Sequence, residues 1–144
     1  MDDFSVRSPI SDSEYDNYIH FRWSTLRKPL GMSRESSLDN KESSSIHLIG
    51  KSNKEIVACC RLQFNNNIEA QIRYMSVNKN FKRRGYGSKI LSELESYAKR
   101  HSAEKIILNA RETAKEFYVV SGYKEIAPFK SVTGIPHIRM SKTL

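Results

Sequence analysis

Between a β-branched and aromatic run ending at Val77 and an amphipathic helical pattern beginning near Gly87 lies Lys82-Arg83-Arg84-Gly85-Tyr86-Gly87-Ser88. A glycine turn that opens a helix presents unpaired backbone N–H groups at the positive end of the helix dipole, a ready receptor for a diphosphate. The neighbouring cations Lys82, Arg83 and Arg84 add attraction over a longer range. The glycine spacing does not by itself define the ligand. A dinucleotide-binding turn needs a third glycine, and a Walker loop needs Gly-Lys-Ser/Thr after four intervening residues. A plain glycine turn with solvated basic side chains has the same spacing, so the rest of the chain decides.

Other reactive side chains are sparse. Cys59 and Cys60 are the only cysteines. On a strand their side chains point to opposite faces, which excludes a mutual disulfide, and no histidine spacing accompanies them. They read as core residues, and no metal is expected. The net charge of +8 suits an anionic partner, but only residues 79–84 form a dense basic patch. No basic stripe with interleaved aromatics appears, so the expected ligand is a phosphorylated cofactor and not nucleic acid.

At 144 residues the chain fits one domain, 1–144, with a single core. No apolar run approaches the ~20 residues needed to span a bilayer. The start, Met1-Asp2-Asp3-Phe4, is acidic and lacks the apolar centre of a secretory signal. A cytoplasmic protein without a membrane partner is expected.

The elements that must position the glycine turn follow from periodicity. Phe4 to Ser8 reads as a strand, and Ser11 with Glu14 forms a capping box that announces a helix. Tyr15, Tyr18, Ile19, Arg22, Trp23 and Leu26 follow at helical spacing, with the apolar members as a buried stripe. Pro29 and Gly31 stop that helix, and the polar residues 33–45 read as a mobile loop. Ile46–Lys51, Glu55–Phe64 and Ile68–Val77 form a meander, turning at Ser52-Asn53-Lys54 and Asn65-Asn66-Asn67.

After the glycine turn, Ile90, Leu91, Leu94, Tyr97 and Ala98 mark one face of a helix ending near His101. Lys105–Asn109 is a short strand, Thr113–Val120 a helix closed by Gly122, and Tyr123–Ile126 and His137–Met140 are the last strands. The order β-α-β-β-β-α-β-α-β-β predicts a mixed α/β sheet covered by helices. The strand ending at Val77 and Lys105–Asn109 should be parallel, because a helix joins them. Ligands of such sheets bind beyond the strand carboxyl ends, which gathers Val77, the glycine turn and Asn109 around one cleft.

Four segments in order now resemble the GNAT superfamily of N-acetyltransferases. They are Met75-Ser76-Val77, Phe81 through Ser88, Leu108-Asn109-Ala110-Arg111, and Phe117-Tyr118-Val119-Val120-Ser121-Gly122-Tyr123. A looser likeness to the ElaA-like branch rests on Phe21-Arg22-Trp23 with Leu26, on Ala58 through Leu62, and on Gly134 through Met140. The resemblance implies an acyl-CoA N-acyltransferase fold, acetyl-CoA as co-substrate, and a primary amine of a small molecule or peptide as acceptor.

The resemblance also implies roles for residues. Main-chain groups of Met75 and Val77 would pair with the pantetheine arm like an added strand. Backbone N–H groups of Lys82, Arg83, Arg84, Gly85, Tyr86, Gly87 and Ser88 would cradle the diphosphate, and Asn109 would bond a cofactor amide. Relatives carry Gln or Arg at the Lys82 position, so lysine keeps the charge and loses planar hydrogen bonding. Tyr118 is the implied catalytic acid, since a phenol of pKa ~10 can protonate a leaving thiolate at neutral pH.

Some relatives place a glutamate base where this chain has Gln71, which leaves Glu69, two residues earlier on the same strand face, as the candidate base acting through water. Arg111 stands where relatives often carry Asn or Gln, which argues against a cofactor contact, and His137 would lie near the acceptor. Monomer and homodimer both remain open, and so does the reading of a non-catalytic acyl-CoA-binding module docked on a protein partner.

Overall fold

The computed structural model describes residues 3–144; Met1 and Asp2, the start of the acidic N-terminus, lie outside them. Strand β1 (Phe4–Arg7) leads to helix α1 (Asp12–Leu26), followed by β2 (Ile46–Ser52), β3 (Glu55–Phe64) and β4 (Glu69–Val77). Helix α2 (Tyr86–Arg100), β5 (Lys105–Arg111), α3 (Lys115–Val120), β6 (Lys124–Lys130) and β7 (Pro136–Thr143) complete the chain. The order matches the expectation element for element. One seven-stranded sheet runs β1-β2-β3-β4-β5-β7-β6. Among the described residues its single parallel pair is β4 with β5, as the helical connection requires.

Period-two alternation sorts the strand residues between two faces. Ala58, Cys60, Leu62, Ile72, Leu108 and Met140 face α2 and α3, where they pack with Ile90, Leu94 and Tyr118. The opposite face carries a smaller apolar cluster of Ile49 and Cys59 against Tyr18 and Ile19 of α1. Cys59 and Cys60 are thus both fully buried free thiols on opposite sides of the sheet.

Helix α1 starts where Ser11 accepts the Glu14 N–H at 3.1 Å. The expected reciprocal bond is shifted by one residue: the Glu14 carboxylate accepts from the Ile10 N–H at 3.0 Å and also pairs with Arg7 and Lys51. Trp23 is half-buried and does not complete a core stripe; its indole N–H holds the Met32 carbonyl at 2.9 Å, fixing the turn after the helix. The fully buried members of that face include Arg22.

Residues 33–45, expected as a mobile loop, are anchored instead. Arg22 donates to both Glu42 carboxylate oxygens and to the Ser37 carbonyl, and Arg61 donates to both Asp39 oxygens at 2.7 and 2.9 Å. Arg73 adds a second guanidinium on Asp39 at 2.8 Å. Arg22 and Arg61 are both 0% exposed, so these carboxylates neutralise charges that have no access to water. A composition that looks flexible is ordered by partners distant in sequence.

Candidate active site

The cleft begins where two strands part. Parallel pairing of β4 with β5 runs from Glu69↔Lys105 to Ile72↔Leu108 and stops. Beyond that point β4 stays on β3 as far as Val77, while β5 stays on β7 as far as Arg111. A bulge drives the separation. Tyr74 and Met75 together oppose Cys60, and Tyr74 adopts φ +56°, a left-handed backbone that bends the strand.

The bulge also leaves strand groups unpaired. The Asn78 N–H bonds the Val57 carbonyl on the β3 side at 2.7 Å. Backbone direction alternates along a strand, so the main-chain groups of Val77 and Met75 point away from β3, toward the gap. A cleft of about 300 Å³ fills this gap, lined by Gln71, Met75, Leu108, Asn109, Tyr118 and His137 among others.

Helix α2 begins beside the end of β4, with Val77 Cγ2 3.6 Å from where a Gly87 Cβ would stand. Gly85 caps it with φ +79°, preceded by Arg83 at φ +66°. The first intrahelical bond is Lys89 N–H to Gly85 carbonyl at 3.1 Å, so the N–H groups of Gly87 and Ser88, in the first turn, have no acceptor within the helix. Lys82, Arg83, Arg84 and Gly85 are exposed. Tyr86 is buried, its ring stacked on Phe4 at 3.9 Å, and contributes only main chain to this surface. Gly87 is buried for a packing reason: a Cβ there would sit 3.2 Å from the Phe117 ring.

A diverging parallel pair, outward strand groups and an anion-ready helix start therefore lie together. The acetyltransferase (GNAT) domain model matches residues 25–144, most of the chain. The protein belongs to the GNAT acetyltransferase family.

Solved structures share this GNAT fold over nearly the whole chain. Escherichia coli ElaA superposes with a TM-score of 0.81 at 18% identity, covering 99% of both chains. An aminoglycoside 6'-N-acetyltransferase complexed with coenzyme A gives 0.79 at 16% identity, covering 97% of this chain and 96% of that one. A GNAT family acetyltransferase from Elizabethkingia anophelis with acetyl-CoA bound gives 0.71 at 16% identity, covering 100% of both.

Within this GNAT cleft Tyr118 is 6% exposed, and its ring packs edge-on against Phe117 and Tyr123. Burial pushes its phenol well above the usual tyrosine range. The hydroxyl is therefore a proton carrier at neutral pH. Asn109 lines the cleft and accepts from Arg139 Nε at 3.1 Å. Arg111 closes one end by donating to the Leu26 carbonyl at 2.8 Å.

Glu69 is not placed for the base role expected of it. It sits at the far start of β4, outside the cleft lining, paired with Lys105 at 3.4 Å and accepting from Asn65 at 2.9 Å. The same asparagine amide donates to Gln71, the residue that does reach the cleft, at 3.0 Å. No carboxylate lines the cleft among the described residues. His137 does, with Nδ1 2.7 Å from the Ile135 carbonyl. A carbonyl can only accept, so Nδ1 carries a proton, and in the neutral imidazole the lone pair is on Nε2.

Sequence reasoning overlooked Arg27, Arg73 and Arg139 as cleft residues. The available signal was the alternation of Asn109 and Arg111 with Leu108 and Ala110, and of His137 and Arg139 with Ile138 and Met140. It marks a polar sheet face opposite the α2 core.

Proposed function

We propose that this protein transfers the acetyl group of acetyl-CoA directly to a primary amine bound in the cleft. The observation that supports this reading is a cleft lined by Tyr118 and Met75 where β4 and β5 part, with Val77 against the first turn of α2, its Cγ2 3.6 Å from where a Gly87 Cβ would stand. The pantetheine arm would pair with Met75 and Val77 as an added strand. The diphosphate would rest on the N–H groups from Lys82 to Ser88, where the helix dipole and three exposed cations favour negative charge.

In the reaction the amine nitrogen bonds to the thioester carbonyl carbon, giving a tetrahedral oxyanion facing the strand N–H groups near Val77. Its collapse breaks the C–S bond, and Tyr118 supplies the proton that the departing thiolate takes up. The proton lost by the amine goes to His137 Nε2, the free imidazole nitrogen in the cleft. No acyl-enzyme is invoked: both cysteines are fully buried and burial pushes their thiols up, Cys59 to about 12.

The test is a thermal-shift titration with acetyl-CoA and with NAD, combined with thiol release over a panel of amines. Stabilisation by acetyl-CoA alone together with amine-dependent thiol release supports transfer. Stabilisation without thiol release for any amine identifies a non-catalytic acyl-CoA-binding module. The base assignment predicts that His137→Gln slows transfer and that raising the pH, which deprotonates the amine in solution, restores part of the rate.

A further inference from the structure

We infer that the acceptor is a small amine that carries an anionic group, a carboxylate or phosphate, held by Arg27, Arg111 and Arg139. This rests on the acetyl-transfer reading above and names the class of amine which that site accepts.

Elsewhere in the fold buried guanidiniums are neutralised inside the protein. Arg22 is paired with Glu42, and Arg61 with Asp39 and Glu42. Arg73, at the cleft margin, shares Asp39. The other three cleft arginines are treated differently. Arg27 Nε donates to the Ser36 carbonyl at 3.3 Å, Arg111 to the Leu26 carbonyl at 2.8 Å, and Arg139 to the Asn109 side-chain oxygen at 3.1 Å. All of those acceptors are neutral. None of the three arginines forms an ion pair among the described residues, and no Asp or Glu joins them in the cleft lining.

Part of this unbalanced charge is also desolvated. Arg27 is 9% exposed, and burial lowers the proton affinity of both Arg27 and Arg111. Guanidinium groups taken from water without a counter-charge are costly, and a bound anion removes that cost. The planar N–H fork of arginine matches carboxylate and phosphate oxygens pairwise.

The cluster is separate from the diphosphate site. Register places Asn109 beside Arg139 and Arg111 beside His137 on β5 and β7. Their neighbours Leu108, Ala110 and Met140 face the α2 core, so the arginines occupy the α1 face, where Arg111 touches the end of α1. Lys82, Arg83 and Arg84 directly precede α2, whose apolar face packs in the core on the other side of the sheet, and none of them lines this cleft. Two anions are thereby addressed, one on the donor and one on the acceptor. Polycationic amines meet like charge in the cleft.

Calorimetric binding to the CoA-saturated protein tests this with amines matched in length: 4-aminobutanoate, 3-aminopropyl phosphate, n-butylamine and putrescine. The expected result is that one or both anionic amines bind about tenfold tighter than the neutral and cationic ones, with the same order in thiol release. The better of the two identifies carboxylate or phosphate as the recognised group. Arg139→Gln should weaken the anionic amine about tenfold more than it weakens n-butylamine, and Arg27→Gln provides a second variant should the first misfold. Equal or tighter binding of n-butylamine or putrescine overturns the inference, as does failure of both anionic amines to bind. If acetyl-CoA gives no stabilisation, the transfer reading fails by itself, and the same amine ranking on the ligand-free protein still decides this one.

Discussion

The Arg22 guanidinium carbon lies 3.9 Å from the centre of the Tyr74 ring, so α1 clamps the residue at which β4 bulges. Tyr74 holds φ +56°, a conformation that costs a residue with a Cβ about 1–2 kcal/mol. Arg61 and Arg73 approach the same ring, at 5.0 and 4.8 Å. Each desolvated cation–π contact contributes on the order of 1–2 kcal/mol, enough together to hold the strained backbone. The bulge turns the main chain of Met75 and Val77 toward the cleft. Packing on the α1 face thus sets the geometry of the ligand edge.

Arg22→Lys tests that clamp. Lysine keeps the charge but loses the fork that reaches Glu42 and the Ser37 carbonyl together. Leaving a buried carboxylate poorly matched should cost about 3 kcal/mol in urea denaturation, and acetyl-CoA affinity should fall with it. A denaturation midpoint equal to that of the parent protein would remove Arg22 from this role.

Tyr118→Phe separates chemistry from binding. The ring contacts with Phe117 and Tyr123 survive the substitution, so the fold and the cleft shape persist. Loss of the proton donor should lower kcat by roughly a hundredfold, the lower end for general-acid catalysis, with KM for acetyl-CoA changed by about threefold or less. Equal turnover in both proteins would assign the proton to another group.

The fold was legible in the chain because its signals are local. Ser11 at the helix start, the Asn65-Asn66-Asn67 turn and the apolar stripe of Ile90, Leu91 and Leu94 each carry their own physics, and they lie where expected. The glycine turn proposed above to hold the diphosphate was legible for the same reason, as a short stretch before a helix. The arginine cluster proposed for the acceptor was not. Its arginines come from the end of α1, from β4, from β5 and from β7, and only the sheet register brings Arg139 beside Asn109. Residues 33–45 misled for a related cause: nothing near Asp39 or Glu42 in sequence announces Arg61 or Arg22 as partners. Glu69 shares a strand face with Gln71, but alternation gives the face and not the distance along it, and Glu69 falls short of the cleft.

The two glycines of the turn should fail differently. Gly85 has φ +79° and open space where a Cβ would stand, so Gly85→Ala strains the backbone by about 1–2 kcal/mol without a clash. Relief of that strain tilts the first-turn amides, and the dissociation constant for acetyl-CoA should rise about fivefold or more. In Gly87→Ala the new Cβ meets the Phe117 ring at 3.2 Å, and Phe117 precedes Tyr118. That variant should act mainly on the single-turnover rate. Identical effects of both on the dissociation constant, measured by calorimetry, would contradict these separate causes.

Acid should loosen the anchored segment before it affects the apolar core. At Asp39, burial works to raise the pKa, but the Arg61 hydrogen bonds, the Lys41 N–H and the charge of Arg73 outweigh it and hold the carboxyl at about 2. Glu42 is lowered as well, against its own burial, by Arg22 and Arg61. A folded-state pKa below the unfolded value of ~3.9 means stabilisation that is complete above pH ~4 and lost as the pH falls toward 2. Asp39→Asn removes this term at every pH. The melting-temperature difference between parent and variant should be largest above pH ~5, shrink through pH 4 to 2, and be smallest at the acid end. A difference that stays constant across that range would show that the Asp39 charge does not hold the segment to Arg61.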